Sequence, residues 1–239
     1  MAQIIDFHSH ILPGIDDGSS SVERSIAMLL AERAQGISHV VLTPHFYAHS
    51  DSPEHFLSCR AEAEKLLRQA MAEKPELPTL SLGAEVYYFN GLCYSESLPL
   101  FAIDGGQYVL IELPMPPYSD RIFRELEWIY EKRGMIPILA HIDRYLAPFH
   151  TRSLLERLST LPVLLQANAD FFLTRSTRSL ALRMLKKGQI RLLGSDCHDL
   201  SGRAPNLGPA LDIIRHRLGE EALTPVWQTG EDILSLFHK

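Results

Sequence analysis

Short apolar runs, each ending in a polar side chain and each followed by a helical stretch, constrain this chain more than any other feature. They are Ile4-Ile5, Val40-Val41-Leu42, Leu80-Ser81-Leu82, Tyr108-Val109-Leu110-Ile111, Ile136-Pro137-Ile138-Leu139-Ala140, Val163-Leu164-Leu165 and Ile190-Arg191-Leu192-Leu193. Near-continuous apolar strands are buried on both faces, which is the pattern of a parallel sheet. Helical spacing fills the gaps. Ser20-Ser21-Val22-Glu23 reads as a capping box, Pro53 starts a second helix, and others are expected near 119–133, 153–158, 174–187, 207–218 and 231–237. Pro44 cannot donate to a ladder, so the second strand stops there. The order predicts a closed or distorted seven-stranded β/α barrel, with a doubly wound open sheet as the second choice. At 239 residues, one domain over 1–239 is expected.

In such folds the chemistry sits at the C-terminal ends of the strands. Here those ends carry His8 and His10, then His45, Glu85, Glu112, His141, and Asp196 with His198, and Asp17 follows the first strand. The sixth strand ends in the neutral Gln166 and Asn168. The opposite ends carry Gln3, Ser38, Thr79, Gln107 and Met135, which are poor ligands. That asymmetry predicts a metal site. By strand alternation Asp6, His8 and His10 should share one face. Imidazoles with carboxylates and no obligatory thiolate suit Mn, Fe or Zn better than Ca. Nine candidate ligands (His8, His10, Asp17, His45, Glu85, Glu112, His141, Asp196, His198) exceed the needs of one ion, so two or three divalent ions are expected. Asp16 is expected to be a structural neighbour. His39, His49, His55, His150, His216 and His238 have no comparable position.

Composition narrows the function further. Lys and Arg number 23 against 29 Asp and Glu, a net charge of −6 with no long basic run, so no nucleic-acid partner is expected. Three scattered cysteines do not make a disulfide framework and suit a reducing, cytoplasmic setting. No apolar run approaches the ~20 residues of a membrane span, so no direct membrane insertion is expected.

Together, Asp6-Phe7-His8-Ser9-His10, Ile15-Asp16-Asp17-Gly18, Thr43-Pro44-His45, Gly83-Ala84-Glu85, Leu110-Ile111-Glu112, Ala140-His141-Ile142-Asp143-Arg144-Tyr145 and Ser195-Asp196-Cys197-His198 resemble the PHP (polymerase and histidinol phosphatase) superfamily. More narrowly, the chain resembles the bacterial CpsB/CapC/YwqE-type manganese-dependent protein-tyrosine phosphatases of capsule and exopolysaccharide synthesis. The resemblance implies a distorted barrel of the PHP type with a trinuclear site, Mn being the first choice of metal. It implies that His8, His10, Glu85 and Asp196 hold one ion. Glu85 would bridge to a second, shared with Glu112 and His141, and Asp17, His45 and His198 would hold the third. It also implies a phosphotyrosine protein substrate, the tail of a membrane-associated tyrosine kinase. Glu112 and Asp17 stand where histidinol phosphatases and polymerase domains more often carry His. Two departures are Asp143, commonly Glu in this branch, and Gly202-Arg203-Ala204-Pro205, often Gly-Arg-Pro-Pro.

The chemistry expected of such a site is in-line attack on phosphorus by a hydroxide bridging the ions. Arg144 and Arg203 are placed to fork onto the phosphate, and Asp199 is a candidate proton donor. Cys197 to Arg203 also has the C-x₅-R spacing of cysteine-dependent phosphatases. The single glycine in that loop, the acidic Asp199 and the expected inward packing of Cys197 count against a thiolate nucleophile. The alternatives are a histidinol-phosphate-type or other small-molecule phosphatase, and a nuclease.

Overall fold

The computed structural model describes residues 3–146 and 151–235. In chain order it contains β1 (Ile5–Ser9), α1 (Val22–Ala34), β2 (His39–Leu42), β3 (His45–Phe46), α2 (Pro53–Met71), β4 (Thr79–Leu82), β5 (Glu85–Tyr87), β6 (Tyr108–Glu112), α3 (Asp120–Arg133), β7 (Ile136–Leu139), α4 (Thr151–Leu158), β8 (Leu164–Asn168), α5 (Ala169–Leu173), α6 (Arg178–Lys186), β9 (Leu192–Gly194), α7 (Leu207–Leu218) and α8 (Thr224–Ser235). Every strand pair is parallel, in the orders β1-β2-β4 and β3-β5-β6-β7-β8-β9. The result is a mixed α/β fold with a curled parallel sheet.

Among the described residues nine strands replace the seven read from the sequence, because two of the expected strands are each cut in two. Pro44 separates β2 from β3, and Gly83-Ala84 separates β4 from β5. Hydrogen bonds carry the chain across both breaks: Gly83 N donates to Leu42 O at 2.8 Å and Glu85 N to Pro44 O at 3.0 Å. On the other side β1 meets the segment after β9, where Asp196 N donates to His8 O at 2.8 Å and His10 N to Cys197 O at 2.9 Å.

Two apolar layers hold the strands in place. Ile5, Phe7, Val41, Leu110, Ile138 and Leu192 from the strands cluster with Ile233 and Leu234 of α8. The larger layer lies between strands and outer helices and includes Met28, Leu29, Leu126, Ile129, Leu211 and Ile214. Each such fully buried side chain contributes roughly 1.5–3 kcal/mol. α8 is longer than the expected 231–237 and packs tightly on β1, since a Cβ on Gly230 would lie 2.8 Å from Ile5 Cδ1 and Phe7 Cε2. The first helix is capped one residue later than the expected capping box, with Ser21 Oγ accepting from Arg24 N at 3.3 Å. α5 is an additional short helix, and the helix expected at 174–187 starts at Arg178.

β1 also departs from simple alternation. Its register against β2 shifts between Asp6 and Ser9. Asp6 therefore faces Glu32 of α1 while His8 turns toward the strand ends. A bulge of this kind re-aims the side chains on either side of it.

Candidate metal centre

All nine candidate ligands converge on one cluster, His45 and Glu85 from the first residues of β3 and β5 and the others from at or beyond the C-terminal ends of the strands they follow. Glu85, at the start of β5, is the hub. Its Oε2 lies 3.2 Å from His8 Nε2, 3.3 Å from His10 Nε2 and 2.9 Å from His45 Nδ1, and its Oε1 is 2.8 Å from His141 Nε2. Asp196 Oδ1 is 3.5 Å from His8 Nε2 and 3.4 Å from His10 Nε2. Glu112 Oε1 lies 3.4 Å from His141 Nε2. Asp17 Oδ1 is 3.3 Å from His198 Nε2 and 3.6 Å from His45 Nε2. Asp17 is exposed at the rim, whereas His8, His10, Glu85 and His141 are fully buried.

Backbone geometry sharpens the placement. His141 and Asp196 have φ of 31° and 56°. Left-handed backbone in non-glycine residues is uncommon and clusters at functional sites. Gly194 admits the close approach of β9 to β1, since a Cβ there would meet His8 Cβ at 2.5 Å.

Neighbouring polar groups fix the rings. Asp16 Oδ2 lies 2.7 Å from His10 Nδ1 and accepts from His45 N at 3.0 Å, as expected of a structural neighbour. Gln166 Oε1 accepts from His141 N at 2.6 Å and is 3.2 Å from His8 Nδ1. Asn168 Nδ2 donates to Asp196 Oδ2 at 2.9 Å. The neutral end of the sixth strand is thus a set of orienting amides. Sequence reasoning missed this role, although two amides in an otherwise acidic and basic ring were the available signal. Such partners commonly fix the tautomer and aim of metal-binding groups.

The electrostatics follow from the geometry. Burial opposes charge on Glu85, yet His8, His10, His141 and His45 hold its carboxyl well below the usual range. Asp196 is likewise held well below the ordinary value by His8 and His10, against its burial. Burial works against the imidazolium of His10, but Asp16, Asp196 and Glu85 override it and raise its pKa well above normal. Glu112 and Glu85 overcome the same penalty at His141 and raise it to about 9. His198 goes the other way, lowered to about 4 by burial and by the positive His10 and Arg203.

The donor set fits divalent ions. Potential ligand atoms of His10, Asp17, His45 and His198 lie within 4.8 Å of one another, as do those of His8, His10 and Glu85, and those of His45, Glu85 and Glu112. Glu85 Oε2, His45 Nδ1, His141 Nδ1 and His198 Nε2 are buried without a hydrogen-bond partner. The 2.9 Å approach of His45 Nδ1 to Glu85 Oε2 is a close contact and lacks hydrogen-bond geometry. Carboxylate oxygens and imidazole nitrogens without thiolate suit Mn, Fe or Zn.

Both arginines border this cluster. Arg144 Nη2 pairs with Asp196 Oδ2, and its Nη1 is 3.5 Å from Glu112 Oε1. Arg203 Nη2 is 2.9 Å from Asp196 Oδ1. Between them opens a polar cleft of about 200 Å³ lined by Asp143, Asn168 and Asn206. Asp199, the candidate proton donor, has its Oδ1 accepting from the backbone N–H groups of Ser201, Gly202 and Arg203, which lower its pKa.

Tyr47 lies two residues after His45. Its ring centroid lies 5.0 Å from that of His45 and 5.7 Å from that of Tyr87, so an aromatic wall stands beside the cluster. Tyr88 is buried and packs, His39 bonds Thr79 and Ser81 at the far end of the strands, and His150 and His238 lie outside the described residues.

Cys197 is fully buried in the layer shared with α1, and its thiol is pushed well above its ordinary pKa by burial and then by Glu32 and Asp6. A thiolate there is strongly disfavoured. Cys197→Ser is expected to keep kcat within about twofold of wild type when fully metal-loaded, because an attacking thiolate would cost orders of magnitude on removal. Loss of all turnover with metals retained would restore the cysteine mechanism.

A family model for capsular polysaccharide synthesis, CpsB/CapC, matches residues 4–234. The chain belongs to the CpsB/CapC family. Among curated members, the tyrosine-protein phosphatase YwqE of Bacillus subtilis is 27% identical, covering 97% of this chain and 91% of that protein. The tyrosine-protein phosphatase CpsB of Streptococcus pneumoniae is 29% identical, over 90% of this chain and 91% of its own. In three dimensions this CpsB/CapC chain matches one from the crystal structures of YwqE and CpsB, described as unique metal-dependent tyrosine phosphatases. The TM-score is 0.83 at 23% identity, over 98% of this chain and 94% of that one.

Proposed function

We propose that this protein is a divalent-metal-dependent phosphomonoesterase that removes phosphate from tyrosine in a protein substrate. The observation that carries the reading is Glu85, a buried carboxylate within reach of four imidazoles, with Arg144 and Arg203 at the edge of the same cluster. In this reading the nine strand-end residues hold two or three ions, Mn first and Fe or Zn as alternatives, and the strands form one distorted barrel of seven β/α units. When bound, the ions supply Lewis acidity toward the phosphoryl oxygens and water of lowered pKa.

The chain's own residues do the rest. Arg144 and Arg203 bind the phosphate oxygens, exchanging part of their pairing with Asp196. Asp16 and Gln166 keep the His10 and His8 rings aimed. Tyr47 and Tyr87 offer an aromatic face for the substrate ring. A phenolate leaving group has a pKa of about 10, so a dedicated acid is less necessary than for an alkoxide. The family's role in capsular polysaccharide synthesis supports the tail of a membrane-associated tyrosine kinase as substrate. A cytoplasmic site of action fits three free cysteines, and no helix among the described residues is long and apolar enough to cross a membrane.

The test compares phosphotyrosyl peptide, histidinol phosphate and single-stranded DNA, each with Mn²⁺ and with chelator. Mn²⁺-dependent turnover of the phosphopeptide is expected to exceed the others. Activity surviving complete metal removal, or faster turnover of histidinol phosphate, overturns the reading. Arg144→Ala is expected to lower kcat/KM by about 10- to 100-fold, mostly through KM, since a hydrogen bond to a charged group is worth about 1.5–3 kcal/mol. Unchanged steady-state kinetics would remove Arg144 from the site.

A further inference from the structure

A second cleft, of about 260 Å³, opens beside the candidate centre and takes no part in the proposed reaction. Phe123 of α3, Leu154 of α4 and Tyr145 line it and are buried, while Pro116 and Pro117 line it and are exposed. The ring of Tyr118 stands nearly at right angles to those of Phe123 and Tyr145, with centroids 6.0 and 6.2 Å away. The Arg157 guanidinium lies 4.0 Å from the Phe123 centroid and pairs with Asp120 at 2.6 Å, which fixes that side. Among the described lining residues Arg157 is the one charged group. Met115, next to Pro116 in the chain, is 65% exposed and is an adaptable apolar side chain.

Two segments join this cleft to the centre. The turn after β7 carries His141, Arg144 and Tyr145, and the Tyr145 ring lies 5.5 Å from that of His141. The loop after β6 leads from Glu112 to Tyr118, and Leu113 N donates to Tyr145 Oη at 2.8 Å. One residue, Tyr145, therefore touches a proposed ligand on one side and the cleft on the other. An extended peptide advances about 3.3–3.6 Å per residue, so a side chain about two to four positions from a bound phosphotyrosine reaches the cleft.

The walls define the occupant. The cleft has room for one large side chain, and perpendicular rings favour a planar one that packs edge-to-face or offset. The Tyr118 hydroxyl is buried without a hydrogen-bond partner. Such a group is costly in a finished core and less so in a surface that is completed by binding.

We propose that this cleft is a specificity subsite for an aromatic side chain that flanks the phosphotyrosine in the protein substrate. The inference rests on the phosphatase reading above.

The experiment measures kcat and KM on phosphotyrosyl peptides in an alanine background. Phe or Leu replaces Ala in turn at every position within about four residues of the phosphotyrosine. In wild type, Phe at one position is expected to raise kcat/KM about tenfold over Ala, through KM, with Leu gaining less. That modest surplus is what remains after the cost of ordering the side chain. In Tyr118→Ala, which removes a wall, and in Ser153→Trp, which fills the cleft from α4, the Phe-to-Ala ratio is expected to fall to about one. The ratio is internal to each protein, so a general loss of activity does not mimic a lost preference. If Tyr118→Ala fails to fold, Ser153→Trp decides. A ratio that persists in Ser153→Trp, a Leu gain equal to that of Phe, or equal rates for all peptides in wild type each overturns the subsite and leaves the phosphatase reading standing. Wild type that turns over none of the phosphopeptides overturns that reading, and the subsite with it.

Discussion

Replacing Glu85 by Ala is expected to lower kcat/KM by on the order of 10³-fold or more and to abolish stoichiometric Mn²⁺ binding. Glu85 is 1% exposed and, among the described residues, is the one carboxylate in contact with His8, His10, His45 and His141 together. Without it, the two proposed sets that share it each lose an anionic ligand at once. A metal's stabilisation of transition-state charge is worth several kcal/mol, and about 4 kcal/mol corresponds to 10³ in rate. The loss also touches the fold, since four imidazoles would face one another with less compensating charge. Breaking a buried ion pair by removing one partner costs about 3–5 kcal/mol. Glu85→Gln keeps the volume and separates the two effects: it is expected to fold better than the Ala variant and to be equally inactive. Metal analysis, phosphopeptide kinetics and urea unfolding read the three consequences. An Ala variant that keeps its metal content and turnover within tenfold would remove Glu85 from the centre.

Glu85 also shows why so much of this site was legible in the sequence. Burial of a short parallel strand on both faces forces an apolar run, and a charged residue at its end breaks that run visibly. The signal repeats at His45, Glu112, His141 and Asp196, so residues up to 190 positions apart could be assigned to one end of the sheet. The breaks in the second and third strands were half legible. Pro44 announces itself, while Gly83-Ala84 gives no comparable warning. What failed were statements that depend on where a side chain turns. Asp6 was expected beside His8 and instead faces α1, because the bulge in β1 has no local signature. Nor could the sequence show that three backbone N–H groups of its own loop bind Asp199 Oδ1. The left-handed backbone of His141 and Asp196 is imposed by tertiary pairing, and local sequence alone cannot show it. Tyr47 was hidden for a similar reason, since only the fold brings it against His45 and Tyr87.

In chelator, the protein's unfolding free energy is expected to fall by on the order of 2 kcal/mol between pH 6 and pH 8.5. Glu112 and Glu85 raise His141 to about 9 against an ordinary value near 6.5. A folded-state pKa above the unfolded one means the native state binds the proton more tightly. That contribution is complete below about 6.5 and is lost as pH rises through about 9. His10, raised by Asp16, Asp196 and Glu85 in spite of its burial, acts in the same direction. Both rings are fully buried, so solvent screening does not erase the effect. On the acid side the sign reverses. Glu85 and Asp196 are held below the ordinary carboxylate range, and their contribution disappears as pH falls below that range. His198, lowered to about 4, resists protonation in the native state and so also costs stability as pH drops from about 6.5. Metal-free stability should therefore peak near pH 6. Mn²⁺ binds the deprotonated rings and carboxylates and releases those protons, so its affinity should rise over the same alkaline window in which the metal-free protein weakens. Urea unfolding at fixed ionic strength, with chelator and with saturating Mn²⁺, reads both curves. The gap between them should widen steadily from pH 6 to pH 8.5. Parallel curves would mean that His10 and His141 exchange no protons for metal, which is incompatible with their place in the centre.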